Sequence, residues 1–140
     1  MAIKYFNQDT PYTPSRKRAL TAWIKQVVTI EEKRSGDINF IFCSDEYLLN
    51  INREYLKHDY FTDVITFDYS TVNMLVGDIF ISVDTVRENS TIFQSPFIDE
   101  LNRVVIHGVL HLCGYDDKTD VEKRHMRFLE DKYLTLFENK

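Results

Sequence analysis

Cysteine is nearly absent from this 140-residue chain: Cys43 and Cys113 are the only two, each inside an apolar stretch. Two such isolated thiols do not make a disulfide framework and read as reduced core residues, the state expected in a cytoplasmic protein. Glycine and proline are also scarce, four and three residues, which excludes collagen-like and low-complexity chains. No apolar run approaches the ~20 residues of a membrane span, and Met1 to Asp9 carry no signal-peptide core. A basic excess is missing too, with 17 Lys and Arg against 22 Asp and Glu, which argues against a general nucleic-acid binder. The deficit is uneven: nine of the basic and eight of the acidic residues lie at or before Tyr60. The early cations cluster at Arg16-Lys17-Arg18, Lys25 and Lys33-Arg34, with Arg53 and Lys57 beyond. Such clusters are ordinarily solvated helix faces, but only local charge matters for gripping one strand.

The remaining composition is that of a globular chain, and 140 residues are enough for one domain with its own core, residues 1–140. Residues 2–6 read as a first strand. Pro14 and Ser15 open a helix over 15–33 whose stripe is Leu20, Trp23, Ile24, Val27 and Val28. Gly36-Asp37 reads as a turn into a strand over 38–43, and Ser44 or Asp45 caps a helix carrying Leu48, Leu49, Ile51 and Tyr55. Strands follow over 63–69 and 77–83, with a connection between them that can end in strand. Asp84 is the expected cap of a short helix to Ile92, Ser95-Pro96 the N-cap and N1 of the next, and Asp120 the cap of the last. The last helix has the stripe Met126, Leu129, Tyr133, Leu136 and Phe137. The order β-α-β-α-β-β-α-α-α implies one mixed sheet with helices packed on it.

One segment stands apart: Val104-Val105-Ile106-His107-Gly108-Val109-Leu110-His111-Leu112-Cys113-Gly114-Tyr115-Asp116-Asp117. On a helix, His107 and His111 share a face with Cβ atoms roughly 5–6 Å apart. The apolar neighbours bury that face, and a buried imidazole without a partner carries a desolvation cost that a metal removes. Gly114 suits the position just past the helix end, and two carboxylates, Asp116 and Asp117, follow at once. Gly108 leaves room for a backbone or a substrate to come close. In His-Glu-x-x-His enzymes the Glu is the general base; Gly108 stands there, so any base comes from elsewhere or the metal's own water suffices. Cys113, two residues past His111, faces away from the histidine side. His125 reads as a surface residue, and His58 as a loop residue with a secondary chance of touching substrate.

These residues resemble the bacterial endoribonuclease and rRNA maturation family YbeY, whose signature is His-Gly-x-Leu-His-Leu-x-Gly-Tyr-Asp-His. The chain departs from it only at the closing position, Asp117. Thr62-Asp63-Val64-Ile65-Thr66-Phe67 is similar to the family's Thr-Asp-Val-Leu-Ser-Phe strand and Gly77-Asp78-Ile79 to its Gly-Asp-Ile strand, so the likeness spans about residues 36–130. It implies an α+β, zincin-like fold: a mixed four-stranded sheet with about five helices. It also implies one ion, Zn²⁺, held by His107, His111 and the residue at Asp117. Zinc accepts carboxylate oxygen at about 2.0–2.2 Å, and a two-His, one-carboxylate set also suits iron or manganese. Asp116 is the rival third ligand. The family's Arg after the Tyr of the second helix is replaced by Leu56, and its Pro before Thr62 by Phe61.

The resemblance further implies a metal-dependent, single-strand-specific endoribonuclease acting in rRNA maturation, at the 16S 3′ end, and in ribosome quality control. The small ribosomal subunit and its assembly factors are the implied partners, and neither DNA nor a membrane is expected. His107 and His111 would be catalytic through the ion. Arg103, one turn before His107, would bind phosphate, orient a ligand or merely pair with Glu100. Arg53 and Lys57, i and i+4, together with His58 and Tyr60, are the RNA-binding candidates. Two rival readings remain: a metal hydrolase of a non-nucleic substrate, such as a protease, and a ribosome-assembly factor whose metal is mainly structural.

Overall fold

The computed structural model describes residues 2–138. In chain order its elements are β1 (Ile3–Gln8), α1 (Lys17–Ile30), β2 (Arg34–Cys43), α2 (Asp45–Leu56), β3 (Val64–Asp68), β4 (Met74–Ser82), α3 (Val83–Ile92), α4 (Phe97–Leu112) and α5 (Asp120–Glu138). The strands form one mixed sheet in the order β1-β2-β4-β3. β1, β2 and β4 are parallel, and β3 returns antiparallel along β4, placing it at the sheet edge. With five helices among the described residues, this is the α+β architecture expected. None of those helices is long and apolar enough to cross a membrane.

Alternation along the central strands separates two apolar layers. Ile38, Phe40 and Phe42 of β2 and Leu75, Ile79 and Ile81 of β4 join the stripes of α1, α4 and α5 in the main core. On the other face, Cys43 and Ile65 meet Leu48 and Ile51 of α2. Trp23 is fully buried and donates from its indole nitrogen to the Tyr133 carbonyl, 2.8 Å away, so its one polar atom is satisfied and α1 is tied to α5.

The helix ends differ from the sequence expectation in instructive ways. The Ser82 hydroxyl, not Asp84, caps α3 by accepting from the Thr85 N–H at 3.1 Å. Asp84 instead accepts from the Asp45 N–H at the start of α2. Thr119, not Asp120, caps α5: its hydroxyl accepts from the Glu122 N–H, and the Glu122 carboxylate accepts from the Thr119 N–H in return, a reciprocal capping box. Pro96 is itself the N-cap of α4, one position later than expected, and its carbonyl accepts from the N–H groups of Asp99 and Glu100. α1 spans a shorter range than 15–33. Gly36-Asp37 is not a turn but lies inside β2, at a register shift between Ser35 and Ile38. A Cβ at Gly36 would come 2.9 Å from the Leu75 carbonyl oxygen, so the irregular pairing needs glycine there.

Gly108 decides where α4 sits. Its missing side chain admits Ile79 of β4, whose Cγ2 would lie 2.7 Å from a Cβ placed there. The room foreseen for a backbone or substrate is thus used by the sheet. α4 lies close against β4, and the two histidines flanking the contact are held by it. Gly108→Ala is expected to lower stability by about 1–3 kcal/mol through overpacking, read from the urea midpoint. In an Ile79→Ala background the same change should cost clearly less, the sign of direct coupling; equal costs in both backgrounds would separate Gly108 from Ile79.

Candidate metal centre

α4 ends in a Schellman motif. Gly114 adopts φ +106°, its N–H bonds to the His111 carbonyl, and the Tyr115 N–H reaches back to the Leu110 carbonyl. The reversal sends the chain back along the helix, so that Asp117 lies beside the two histidines. Nε2 of His107 and Nε2 of His111 are 2.9 Å apart. Asp117 puts Oδ2 3.2 Å from the first and Oδ1 3.7 Å from the second. A tetrahedral zinc with bonds of about 2.0–2.1 Å separates its ligand atoms by about 3.3 Å, so these three donors are close to the spacing one ion needs. They form a group that could hold a metal ion. Asp116 is exposed and belongs to no such group among the described residues.

The opposite ring nitrogens fix the chemistry of this arrangement. His111 Nδ1 lies 2.8 Å from the Tyr115 carbonyl, which can only accept, so Nδ1 carries the hydrogen. His107 Nδ1 lies 2.7 Å from Glu130 Oε2 and donates to that carboxylate. In the neutral rings both Nε2 lone pairs therefore point into the same small space, beside a carboxylate. Only a shared proton or a cation makes that favourable. Burial alone would depress the His107 imidazole, but the hydrogen bond and charge of Glu130, aided by Asp117, outweigh it and hold it above its usual value. Burial and then the neighbouring His107 push His111 below its own. The donor set, with each imidazole oriented by an acceptor behind it, fits a divalent transition metal.

Glu130 is the residue that sequence reasoning missed. It is only 5% exposed and stands on α5, next to Leu129 in the apolar stripe. Besides His107 it engages Arg103, whose guanidinium donates to Glu130 at 2.9 Å and to Asp131 at 2.7 Å. Arg103 therefore pairs across to α5 rather than with Glu100, and it reaches the histidines through Glu130. A carboxylate one step from a buried Leu was the available signal. Asp63 is the second omission: it lines the space around His107 and Asp117, and burial raises its carboxyl.

The expected RNA-binding residues divide. His58 and Tyr60 line a groove of about 520 Å³ together with Asp63, His107, His111 and Asp117. Their rings stack with centroids 5.2 Å apart. Arg53 is held in an exposed ion pair with Asp59 at 2.5 Å, and neither it nor Lys57, the left-handed C-cap of α2, lines that groove. Leu56, at the family's Arg position, does line it. His125 is exposed, as expected, with its ring against Tyr115.

Glu31, just past α1, anchors the loop that carries the third donor. Its carboxylate accepts from the Tyr115 hydroxyl at 2.7 Å and from the Tyr133 hydroxyl. The bond to Glu31, with burial second, pushes the Tyr115 phenol up to about 12. Burial first and then the same carboxylate raise Tyr133. A phenol whose folded pKa is raised contributes stability in full below its unfolded pKa of about 10 and loses it as pH climbs through the folded value. The urea midpoint should accordingly fall between pH 10 and about 12. Tyr115→Phe should start about 1–2 kcal/mol less stable at pH 8 and show a shallower alkaline fall. Identical pH profiles for the two proteins would remove Glu31 as the anchor.

Comparison with known proteins follows the same lines. The family model described as "Endoribonuclease YbeY" matches residues 4–138. A protein named endoribonuclease YbeY from Bacteroides fragilis is 50% identical over 136 residues, covering 97% of this chain and 98% of its own. One of the same name from Parabacteroides distasonis is 48% identical over 136 residues, with 97% and 96% covered. The solution structure of a Thermotoga maritima protein superposes with a TM-score of 0.70 at 27% identity, over 97% of this chain and 89% of that one. With a match that runs through every strand and helix and through the histidine motif itself, the chain belongs to the endoribonuclease YbeY family.

Proposed function

We propose that residues 1–140 form one metal-dependent endoribonuclease domain that cuts single-stranded RNA, with ribosomal RNA maturation as its setting. The observation that carries the reading is the three-donor group His107, His111 and Asp117 at the floor of an open groove. Three protein donors leave a coordination position for water or a phosphoryl oxygen, as in catalytic rather than structural sites. A divalent ion there would neutralise charge on the phosphoryl oxygen and bring the pKa of a water towards about 7. Zinc is the ion we favour, with iron or manganese compatible with the carboxylate.

The chain's own residues have separable tasks. His107 and His111 present Nε2 because Glu130 and the Tyr115 carbonyl hold their other nitrogens. Arg103 acts through Glu130, keeping that carboxylate turned towards His107. The stacked His58–Tyr60 pair offers a base a flat surface in the groove. Arg53 and Lys57 would supply phosphate contacts at the end of α2, with Arg53 exchanging Asp59 for phosphate. The small ribosomal subunit and its assembly factors would be the partners, in the cytoplasm. A protease reading is weaker because Gly108 stands where the peptidase Glu would be, and Ile79 fills the space it leaves. A purely structural metal is weaker because the group among the described residues has three donors, not four.

Elemental analysis of the purified chain should find one transition-metal ion per molecule. His111→Ala should abolish its retention, while Asp116→Ala should weaken it far less. The loaded chain should cut single-stranded RNA, stop on addition of chelator, and leave casein intact. Chelator-sensitive proteolysis without RNA cleavage would overturn the reading, and stoichiometric metal in the His111 variant would overturn the ligand set.

A further inference from the structure

The α4 stripe that ends in the two histidines begins a turn or more earlier with Glu100, Arg103 and Val104, at i, i+3 and i+4, before His107 at i+7. That stretch, about 10 Å of helix, is the floor of a second cavity of about 350 Å³. One wall is Asn89 and Phe93 from the end of α3, the other Lys123 and Arg127 from α5. Each pair is four residues apart and so shares one helix face. The volume falls within the ~300–1,000 Å³ of ligand sites. The cavity shares Asp63, His107 and Asp117 with the groove that holds His58 and Tyr60. The two are therefore halves of one trough that meet at the candidate metal donors.

The walls carry what a single nucleic-acid strand needs. Phe93 is 62% exposed although it is aromatic, and it stacks on no other ring among the described residues. Lys123 and Arg127 are exposed cations. Neither is locked in a close ion pair with a described carboxylate, and Arg127 lies near enough to Glu100 for its charge to favour the ionised carboxyl. Four acids line the cavity. Glu130 is bonded to Arg103 and His107, and Asp117 stands beside the two histidines. Burial raises the carboxyls of Asp63 and Glu100, the latter only 8% exposed. An aromatic platform facing two exposed cations, and continuous with the candidate metal-donor group, is suited to a stacked base and its phosphates.

We propose that the cavity between α3 and α5 is a second nucleotide subsite, holding the RNA on the far side of the scissile bond from the His58–Tyr60 groove. Phe93 stacks on the base, Asn89 bonds its edge, and Lys123 and Arg127 take the flanking phosphates. The inference rests on the endoribonuclease reading and adds to it the path of the strand: over the α4 stripe, with the ion at the midpoint.

The test is fluorescence anisotropy of a short, labelled single-stranded oligoribonucleotide with the full chain in chelator, where cutting is off, across a salt series. Phe93→Ala should weaken binding about ten-fold, the scale of one lost stacking contact, and Phe93→Trp should restore it. Lys123→Ala combined with Arg127→Ala should flatten the slope of log affinity against log salt by about 1.4, at about 0.7 per phosphate. Metal content and melting temperature should match the parent chain in all of these, since the three side chains are exposed and outside the donor group. If the parent chain binds and cuts RNA while the variants bind with the same affinity and slope, the subsite is wrong and the endoribonuclease reading stands. If the parent chain neither binds nor cuts RNA, both fall.

Discussion

Two imidazole nitrogens 2.9 Å apart, with their opposite nitrogens already donating, set the constraint on which this structure turns. Left as neutral rings, they oppose lone pair to lone pair beside the Asp117 carboxylate. An i,i+4 helix pair would ordinarily relieve this by turning one ring outward. Here Glu130 and the Tyr115 carbonyl prevent that rotation. Much of the surrounding architecture serves those two acceptors. Arg103 fixes Glu130 from the same helix, and Glu31 fixes Tyr115 from the end of α1. The site is therefore strained towards a cation by contacts reaching α1, α4 and α5.

Burying Glu130 in this way is costly unless its charge is matched, because an isolated buried carboxylate loses its hydration. Two donors meet it, the His107 imidazole and the Arg103 guanidinium, one on each oxygen. Removing either would leave a buried charge half compensated, the situation in which ion pairs become expensive rather than neutral. Arg103 thus has a definite role without touching the donor group. Its own second contact, to the exposed Asp131, adds direction more than energy, since a partly exposed pair is worth little.

Most of the fold was legible because its signals were local. The 3.6-residue stripes of α1 and α5, the alternation in β4 and the candidate caps before the other helices were enough for the order of elements. The histidine spacing and the stop at Gly114 pointed to a candidate metal group, and the family resemblance favoured Asp117 over Asp116 as its third member. Caps were read less well, since Ser82, Thr119 and Pro96 each compete with an equally plausible neighbour and only the backbone angle chooses among them. Gly36-Asp37 looked like a turn because a strand can hide a glycine at a register shift. Glu31 and Asp63 stayed hidden for a different reason: each acts across a long stretch of sequence with no local pattern to mark it. The one local sign at Glu130, its place beside Leu129, signals burial but not the histidine it faces. Arg53 and Lys57 show the converse. Their i,i+4 spacing predicts one shared helix face, yet Lys57 is the left-handed residue that ends α2 and Arg53 is paired with Asp59, so neither lines the groove and any phosphate contact they make lies outside it.

The division of labour on α4 explains why so short a chain can build such a site. One side of the helix, through Leu101, Val105, Gly108 and Leu112, is committed to the sheet and the core. The adjacent stripe, from Glu100 to His111, is lined by cavities along its length. A helix packed against a sheet is rigid, so side chains projecting from its other side are held without a loop to order them. Only Asp117 must be brought from outside, and it comes on the reversal that Gly114 makes possible. Two donors on a rigid helix and a third on a loop would suit an ion that must also leave room for water or a phosphoryl oxygen. It also places the sequence's one departure from the family signature on the loop, where a carboxylate can replace an imidazole without repacking the helix.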